Sequence, residues 1–295
     1  MEKNGSGSVI MRNWTRRITS SVAVVALLYL LVCVYMWAAQ AQYIFLPEAV
    51  LQTTPADLGM KFEEVRIPVG DGVDQGELYG WWIPALNSEA PTFVYLHGNH
   101  RNIGSNLEHS LRLHSLGYNV LLMDYRGFGK SSGGKPSEKK VYEDAEASWQ
   151  YLLRQRHVKP QKTFIYGHSL GGAIAMDLAV RHPEAAGLII ESTFTSMQAM
   201  SELEYGFLPV GLLLNQRFEA LKKIAQLKIP VLLIHGTLDK KVPVQMARQL
   251  YEAAPQPKTL VLIEGGEHGN SATVGWVQYR DALSAFMRSN EINAK

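Results

Sequence analysis

Six short apolar runs, each closed by a turn signal, constrain this chain more than any other feature. They are TFVYLHG (92–98), NVLLMDY (119–125), TFIYGHS (163–169), GLIIEST (187–193), VLLIHG (231–236) and TLVLIEG (259–265). None alternates apolar with polar residues, as a strand with one wet face would. Each reads as a strand buried on both faces of a parallel sheet. Helical segments separate them. The clearest is 137–156, where Val141, Ala145, Trp149 and Leu152 recur at helical spacing and Ser137, after Pro136, is placed to cap the N-terminus. Ahead of the six, KFEEVRIPV (61–69) and ELYGWWIPA (77–85), joined through GDGVDQG, read as an antiparallel hairpin. The pattern predicts an α/β fold: an eight-stranded, mostly parallel sheet with helices on both faces. One gap of 37 residues, 194–230, breaks the rhythm and holds the apolar stretch YGFLPVGLLLN (205–215). Residues 194–229 are expected to form a small cap insertion over the sheet's carboxyl edge; the alternative is a crossover helix with a long loop.

The N-terminus carries a different signal. From Ile18 to Pro47 no residue is charged, and Ser20–Ala39 is the apolar heart of the run. Those 20 residues, at ~1.5 Å rise each, match a ~30 Å hydrocarbon core. Arg12, Arg16 and Arg17 flank the run on one side; beyond it the first charge is Glu48 and the first basic residue is Lys61. The positive-inside rule then makes residues 1–17 a cytoplasmic basic leader and 18–41 a transmembrane signal-anchor. Residues 42–60 become a connector, and the body lies across the membrane, in periplasm or lumen. Trp37 and Tyr43 are expected at the far interface. The alternative is secretion after cleavage at Ala39-Gln40-Ala41, although the run exceeds the ~7–15 residues of a usual signal-peptide core.

Charge and cysteine content exclude several classes. The chain carries a formal +2, and Lys3, Arg12, Arg16 and Arg17 against Glu2 account for more than all of it. The nearly neutral body has no electrostatic footprint for nucleic acid. With 46% hydrophobic and 19% charged residues, wholesale disorder is excluded. A single cysteine, Cys33, excludes an intrachain disulfide framework and multi-cysteine metal sites.

The chemistry is carried by Gly167-His168-Ser169-Leu170-Gly171, a G-x-S-x-G pattern between the strand TFIY and the helical stretch GGAIAMDLAVRH. A tight strand-to-helix turn there forces Ser169 into a strained backbone with its hydroxyl exposed, and needs small neighbours on both sides. Serine at its free pKa is a poor nucleophile and needs a base and an orienting acid. In this arrangement the chain order is serine, acid, histidine. Asp239, in HGTLDKKVP, follows the strand at 231–236; His268, in GGEHG, follows the last strand and is the only one of the nine histidines beyond Asp239. Glu191 is the runner-up acid. Two backbone N–H groups are needed for an oxyanion: Leu170, directly after the nucleophile, and Asn99, after the strand at 92–98. His97 is expected to play a structural part.

These pieces together are similar to the α/β-hydrolase superfamily, from about residue 43 to 288. Within it, the chain resembles the membrane-anchored Bem46-like (α/β-hydrolase domain-containing protein 13-like) group. The resemblance rests on YIFLP (43–47), LHGNxxNIG (96–104), MDYRGFGKSSG (123–133), YGHSLGG (166–172), ESTFTS (191–196), HGTLDKKVP (235–243) and GGEHGN (265–270), all in order. It is similar, less closely, to depalmitoylating thioesterases and serine aminopeptidase-like hydrolases. The resemblance implies a hydrolase domain over 61–290 and a Ser169, Asp239, His268 triad; it implies no particular substrate. One departure is His100-Arg101, where relatives often carry small residues, which bears on the shape of the pocket mouth.

Other motifs fail on inspection. Gly129-Lys130-Ser131 lacks the glycine that a phosphate-binding loop needs at position 124, which is Asp124. His97 with His100, or His109 with His114, does not make the H-E-x-x-H zinc pair, and no G-x-G-x-x-G follows a strand. No cofactor and no metal are expected. The predicted activity is hydrolysis of a carboxylic ester or thioester of an acyl or hydrophobic substrate through an acyl-enzyme. A peptidase or amidase on the same triad, or a non-catalytic membrane scaffold of this fold, are the alternatives.

Overall fold

The computed structural model describes residues 6–87 and 89–293. The first five residues of the basic leader, including Glu2 and Lys3, lie outside the described residues. Among the described residues, the central sheet has eight strands: β1 (Glu63–Val69), β2 (Gly76–Ile83), β3 (Thr92–Leu96), β4 (Asn119–Met123), β5 (Thr163–His168), β6 (Gly187–Glu191), β7 (Val231–Gly236) and β8 (Lys258–Ile263). Their order across the sheet is β8-β7-β6-β5-β3-β4-β2-β1. β1 pairs antiparallel with β2, and β2 antiparallel with β4; the remaining neighbours run parallel. The six continuous apolar runs are thus the six parallel strands. β3, β4, β5, β6 and β7 are buried along their whole length, as strands covered on both faces must be.

The covering layers come from α2 (Leu107–Ser115), α3 (Glu138–Arg154), α4 (Leu170–Arg181), α8 (Val244–Ala253) and α9 (Trp276–Asn293). Two buried apolar clusters form, one on each side of the sheet. Val141, Ala145, Trp149 and Leu152, fully buried, are the sheet-facing stripe of α3. Ser137 caps that helix by accepting from the Lys140 N–H at 3.3 Å. The sheet's carboxyl edge gathers the loops after β3, β5, β6, β7 and β8, and open sheets of this kind place their sites there.

Between β6 and β7 lie three short helices, α5 (Met197–Tyr205), α6 (Val210–Leu213) and α7 (Ala220–Ile224). α7 packs on α4 and α8, while α6 and the Tyr205 end of α5 pack against α1 (Ser6–Ile44), a single 39-residue helix. It overruns the 18–41 span at both ends, because nothing in the sequence stops a helix before Pro47. Its stretch from Met11 to Ile44 is long and apolar enough to cross a membrane. Its last three turns are not bare. Cys33, Ala39, Gln40 and Ile44 are buried, with Cys33 against Leu208 and Val210 of the insertion. A parallel two-residue pairing of Leu46–Pro47 with His100–Arg101 ties the chain after α1 to the loop after β3. Arg101 is held there at a φ of 63°, with its Nε 3.6 Å from the Glu48 carboxylate.

Candidate active site

Ser169 sits on the turn between β5 and α4 with φ 53° and ψ −121°, outside the regions open to ordinary L-residues. The strain is held by backbone bonds on both sides. The Ser169 N–H donates to the Glu191 carbonyl at 2.9 Å, and its own carbonyl accepts from the Thr193 hydroxyl at 2.9 Å. Glycines make the turn sterically possible. A Cβ at Gly171 would overlap the Leu96 carbonyl, one at Gly172 the Thr193 hydroxyl, and one at Gly167 the Gly171 carbonyl. Only this packing lets α4 start directly beneath the serine.

The loops after β7 and β8 bring Asp239 and His268 to the same point. His268 Nε2 lies 3.0 Å from Ser169 Oγ, and His268 Nδ1 lies 2.8 Å from Asp239 Oδ2. Asp239 Oδ1 accepts from the Lys241 and Val242 N–H groups, both at 2.9 Å. A carboxylate with its lone pairs used this way is fixed in direction. Burial works against its ionisation, but His235, His268 and the Val242 amide outweigh that and hold the Asp239 carboxyl well below the ordinary range. It is therefore an anion throughout the neutral range and selects the His268 tautomer with hydrogen on Nδ1. Nε2 is left free to accept from the serine.

Leu170 is the first helical residue of α4, where N–H groups have no intrahelical acceptor. Asn99 lies opposite, its carbonyl accepting from the Leu46 N–H at 2.9 Å and its side chain donating to the Ile44 carbonyl at 2.8 Å. Gly98 faces the serine: a Cβ there would meet Ser169 Cβ at 3.4 Å. Ser169, Leu170, Asn99 and His268 share a cavity of about 300 Å³. Its far wall is the insertion, through Phe194, Met197 and Tyr205, and Tyr43 and Ile44 of α1 complete it. Tyr43 thus faces the site, besides the interfacial position expected of it.

Three other histidines and Glu191 lie near the site. His97 is buried and structural, with Nδ1 2.8 Å from the Gly98 carbonyl and Nε2 3.4 Å from Asp124. Glu191 does not reach His268. It lies under the site, hydrogen-bonded by the Tyr166 hydroxyl, with His109 Nδ1 at 3.5 Å. His109 packs on His168 with ring centroids 4.9 Å apart, and His168 Nε2 is 3.0 Å from the His268 carbonyl. Sequence reasoning missed this buried relay. Its one available signal was the parity of β5, which turns His168 away from the face that presents the nucleophile.

Comparison with known proteins agrees with this architecture. The family model for serine aminopeptidase S33 (Hydrolase_4) matches residues 88–221 and 210–270. The uncharacterised protein Rv2307c of Mycobacterium tuberculosis is 32% identical over 272 residues, covering 92% of this chain and 95% of its own. Human α/β-hydrolase domain-containing protein 17B is 32% identical over 207 residues, 68% of each chain. Among solved structures, the Pyrococcus furiosus esterase Pf2001 superposes with a TM-score of 0.68 at 22% identity, covering 83% of this chain and 97% of its own. Fold, family model and relatives agree: the chain belongs to the serine aminopeptidase S33 (Hydrolase_4) family of the α/β-hydrolase superfamily.

Proposed function

We propose that this protein is a membrane-anchored serine hydrolase of the Bem46-like kind, cleaving carboxylic esters or thioesters through an acyl-enzyme. The observation that carries the reading is the position of His268, 3.0 Å from Ser169 Oγ and 2.8 Å from Asp239, beside the cavity that Ser169 lines. Ser169 Oγ attacks the substrate carbonyl while His268 Nε2 takes its proton. Asp239 stabilises the imidazolium without accepting that proton. The oxyanion sits between the Leu170 and Asn99 N–H groups, at the positive end of α4. The intermediate collapses, His268 protonates the departing alkoxide or thiolate, and a water repeats the sequence to release the acid. Residues 18–41 anchor the chain, with residues 1–17 cytoplasmic and the hydrolase domain on the other side.

The walls support an acyl substrate, since Ile44, Leu46, Phe194 and Met197 supply apolar contact. The named esterase among the structural neighbours points the same way. One observation favours a peptidase as the second reading: Glu204 also lines the cavity and could receive a substrate amine. Fluorophosphonate labelling of the solubilised chain, wild type beside Ser169→Ala, tests the nucleophile. Adduct on the wild type alone is expected; equal absence in two folded proteins discards the hydrolase. Turnover of p-nitrophenyl esters, acyl-CoA thioesters and aminoacyl amides then separates the substrate classes.

A further inference from the structure

α1 does not leave the body at the membrane surface. The Tyr29 hydroxyl donates to the Phe207 carbonyl at 3.0 Å, so the tip of the cap touches α1 near the middle of its apolar run. Between Arg17 and that contact lie only residues 18–28, a length of ~16 Å at 1.5 Å per residue. That is about half of a ~30 Å hydrocarbon core. With Arg16 and Arg17 at the cytoplasmic interface, the stretch from Tyr29 to Trp37 lies in hydrocarbon, and the cap packed on it lies there too.

Two independent features of the cap suit that environment. Leu203, Phe207 and Leu212 point outward, 58%, 70% and 87% exposed. Irregular backbone in hydrocarbon must have its polar groups satisfied. α1 does this with its own side chains, Tyr29 within the core and Gln40 at its far edge. Gln40 donates to the Leu213 carbonyl at 3.2 Å and accepts from the Asn215 and Gln216 N–H groups at 2.9 and 3.2 Å.

The seam between α1 and the cap holds a narrow apolar pocket, lined by residues including Met36, Leu208, Val210 and Leu213. It shares Tyr43, Ile44, Ser201 and Tyr205 with the cavity above Ser169. The two therefore adjoin across these four residues, with the seryl hydroxyl on one side and the deeper stretch of α1 on the other.

We infer that the cap is embedded in the leaflet on the hydrolase side, and that the α1–cap seam binds the long acyl chain of a membrane lipid or lipidated substrate, delivered laterally from the bilayer. The substrate class rests on the hydrolase reading; the depth of the cap does not. Polar headgroups stay at the wetter end of the cavity, near Glu204 and Lys241, while the tail lies along Met36 and Leu208.

Two measurements on the full chain in phosphatidylcholine vesicles test this without turnover. A spin label on Phe207→Cys, in a Cys33→Ala background, is expected to be accessible to oxygen and shielded from a water-soluble nickel complex. A label as open to nickel as one on an exposed loop overturns the embedded cap. A phosphatidylcholine with a diazirine at the acyl terminus is expected to mark Met36 and Leu208 as well as the lipid-facing Val24. Leu213→Trp, which fills the seam, should lower the adduct at Met36 at least ~10-fold, with Val24 as the internal reference. Adducts at Val24 alone, in both proteins, overturn the acyl site. Failure of fluorophosphonate labelling with these results intact would discard the hydrolase and leave the lipid site.

Discussion

His168 Nε2 lies 3.0 Å from the carbonyl oxygen of His268, so the residue before Ser169, the proposed nucleophile, holds the backbone of the proposed base. A carbonyl only accepts, so Nε2 carries the hydrogen. Burial pushes the His168 pKa down to about 3, with the neighbouring His109 adding to the shift, and the ring stays neutral at working pH. His168 is a positioning residue: it touches the histidine's main chain and not the reacting atoms. His168→Ala should lower kcat by ~10-fold or more, as a misplaced base does, with KM little changed. His168→Gln, which retains a donor, should recover much of the loss. Steady-state kinetics on both variants decides it, and equal loss in kcat and stability with no recovery would reduce His168 to packing.

Asp239 presents a sharper case. Its carboxylate is held by two amides and His268, so Asp239→Asn would keep the volume while reversing the sense of one hydrogen bond. The amide nitrogen facing Nδ1 would favour the wrong His268 tautomer. A fall in kcat of ~10³–10⁴ is expected, with fluorophosphonate labelling slowed in parallel. The wild-type acid limb should follow a single protonation, because Asp239 stays ionised well below the ordinary carboxylate range. Two protonations in the acid limb would contradict the assignment.

Arg126, in the YRGFG segment, is fully buried. It donates through Nε to Asp144 at 2.6 Å, through its N–H to the other Asp144 oxygen at 2.8 Å, and through Nη1 to the Asp74 carbonyl at 2.9 Å. This cluster ties α3 to the loop after β4. Arg126→Met leaves Asp144 buried without its cation, at a cost of ~3–5 kcal/mol. Denaturant melts of the solubilised chain should show it as a lowered midpoint; a loss below ~1 kcal/mol would mean that Asp144 finds water or a proton instead.

Five of the six parallel strands were legible because burial on both faces leaves few polar residues in them, a signature that needs no partner to be read; β8, at the sheet's edge, is only partly covered, against the expectation of two buried faces. The observed ends fall within about two residues of the runs. The convergence of Ser169, Asp239 and His268 was legible for a related reason: strand ends fix where the three must lie. What escaped depended on contacts across the chain. Leu46–Pro47 pairing with His100–Arg101 leaves no periodicity in either dipeptide. Gln40 reads in sequence as the centre of an A-x-A pattern, and only the fold reveals its three bonds to the cap. Charge placement locates a span in a bilayer, but it does not mark the ends of a helix, so α1 runs past both limits of 18–41.

The surface of α3 and α4 offers a test of pH dependence. His182 Nε2 lies 2.8 Å from Glu146, and the His182 ring stacks on Trp149 at 4.8 Å. Glu146 is lowered to about 2, chiefly by the His182 hydrogen bond. Burial opposes the charge on His182, but Glu146 and Glu184 outweigh it and raise its pKa above the ordinary value. A lowered carboxyl pKa gives stability that is present above its unfolded value and lost as pH falls toward 2. A raised histidine pKa gives stability that is full below ~6.5 and lost as pH rises through the folded value. The two overlap between ~4.5 and ~6.5. His182→Gln should therefore cost most at pH 5–6, about 1 kcal/mol for a pair whose side chains are 13% and 30% exposed, and less at pH 9, where only the stacking on Trp149 remains to be lost. Thermal melts of wild type and variant across that range measure the gap, and a gap that is constant from pH 5.5 to 9 would show that His182 acts by packing alone.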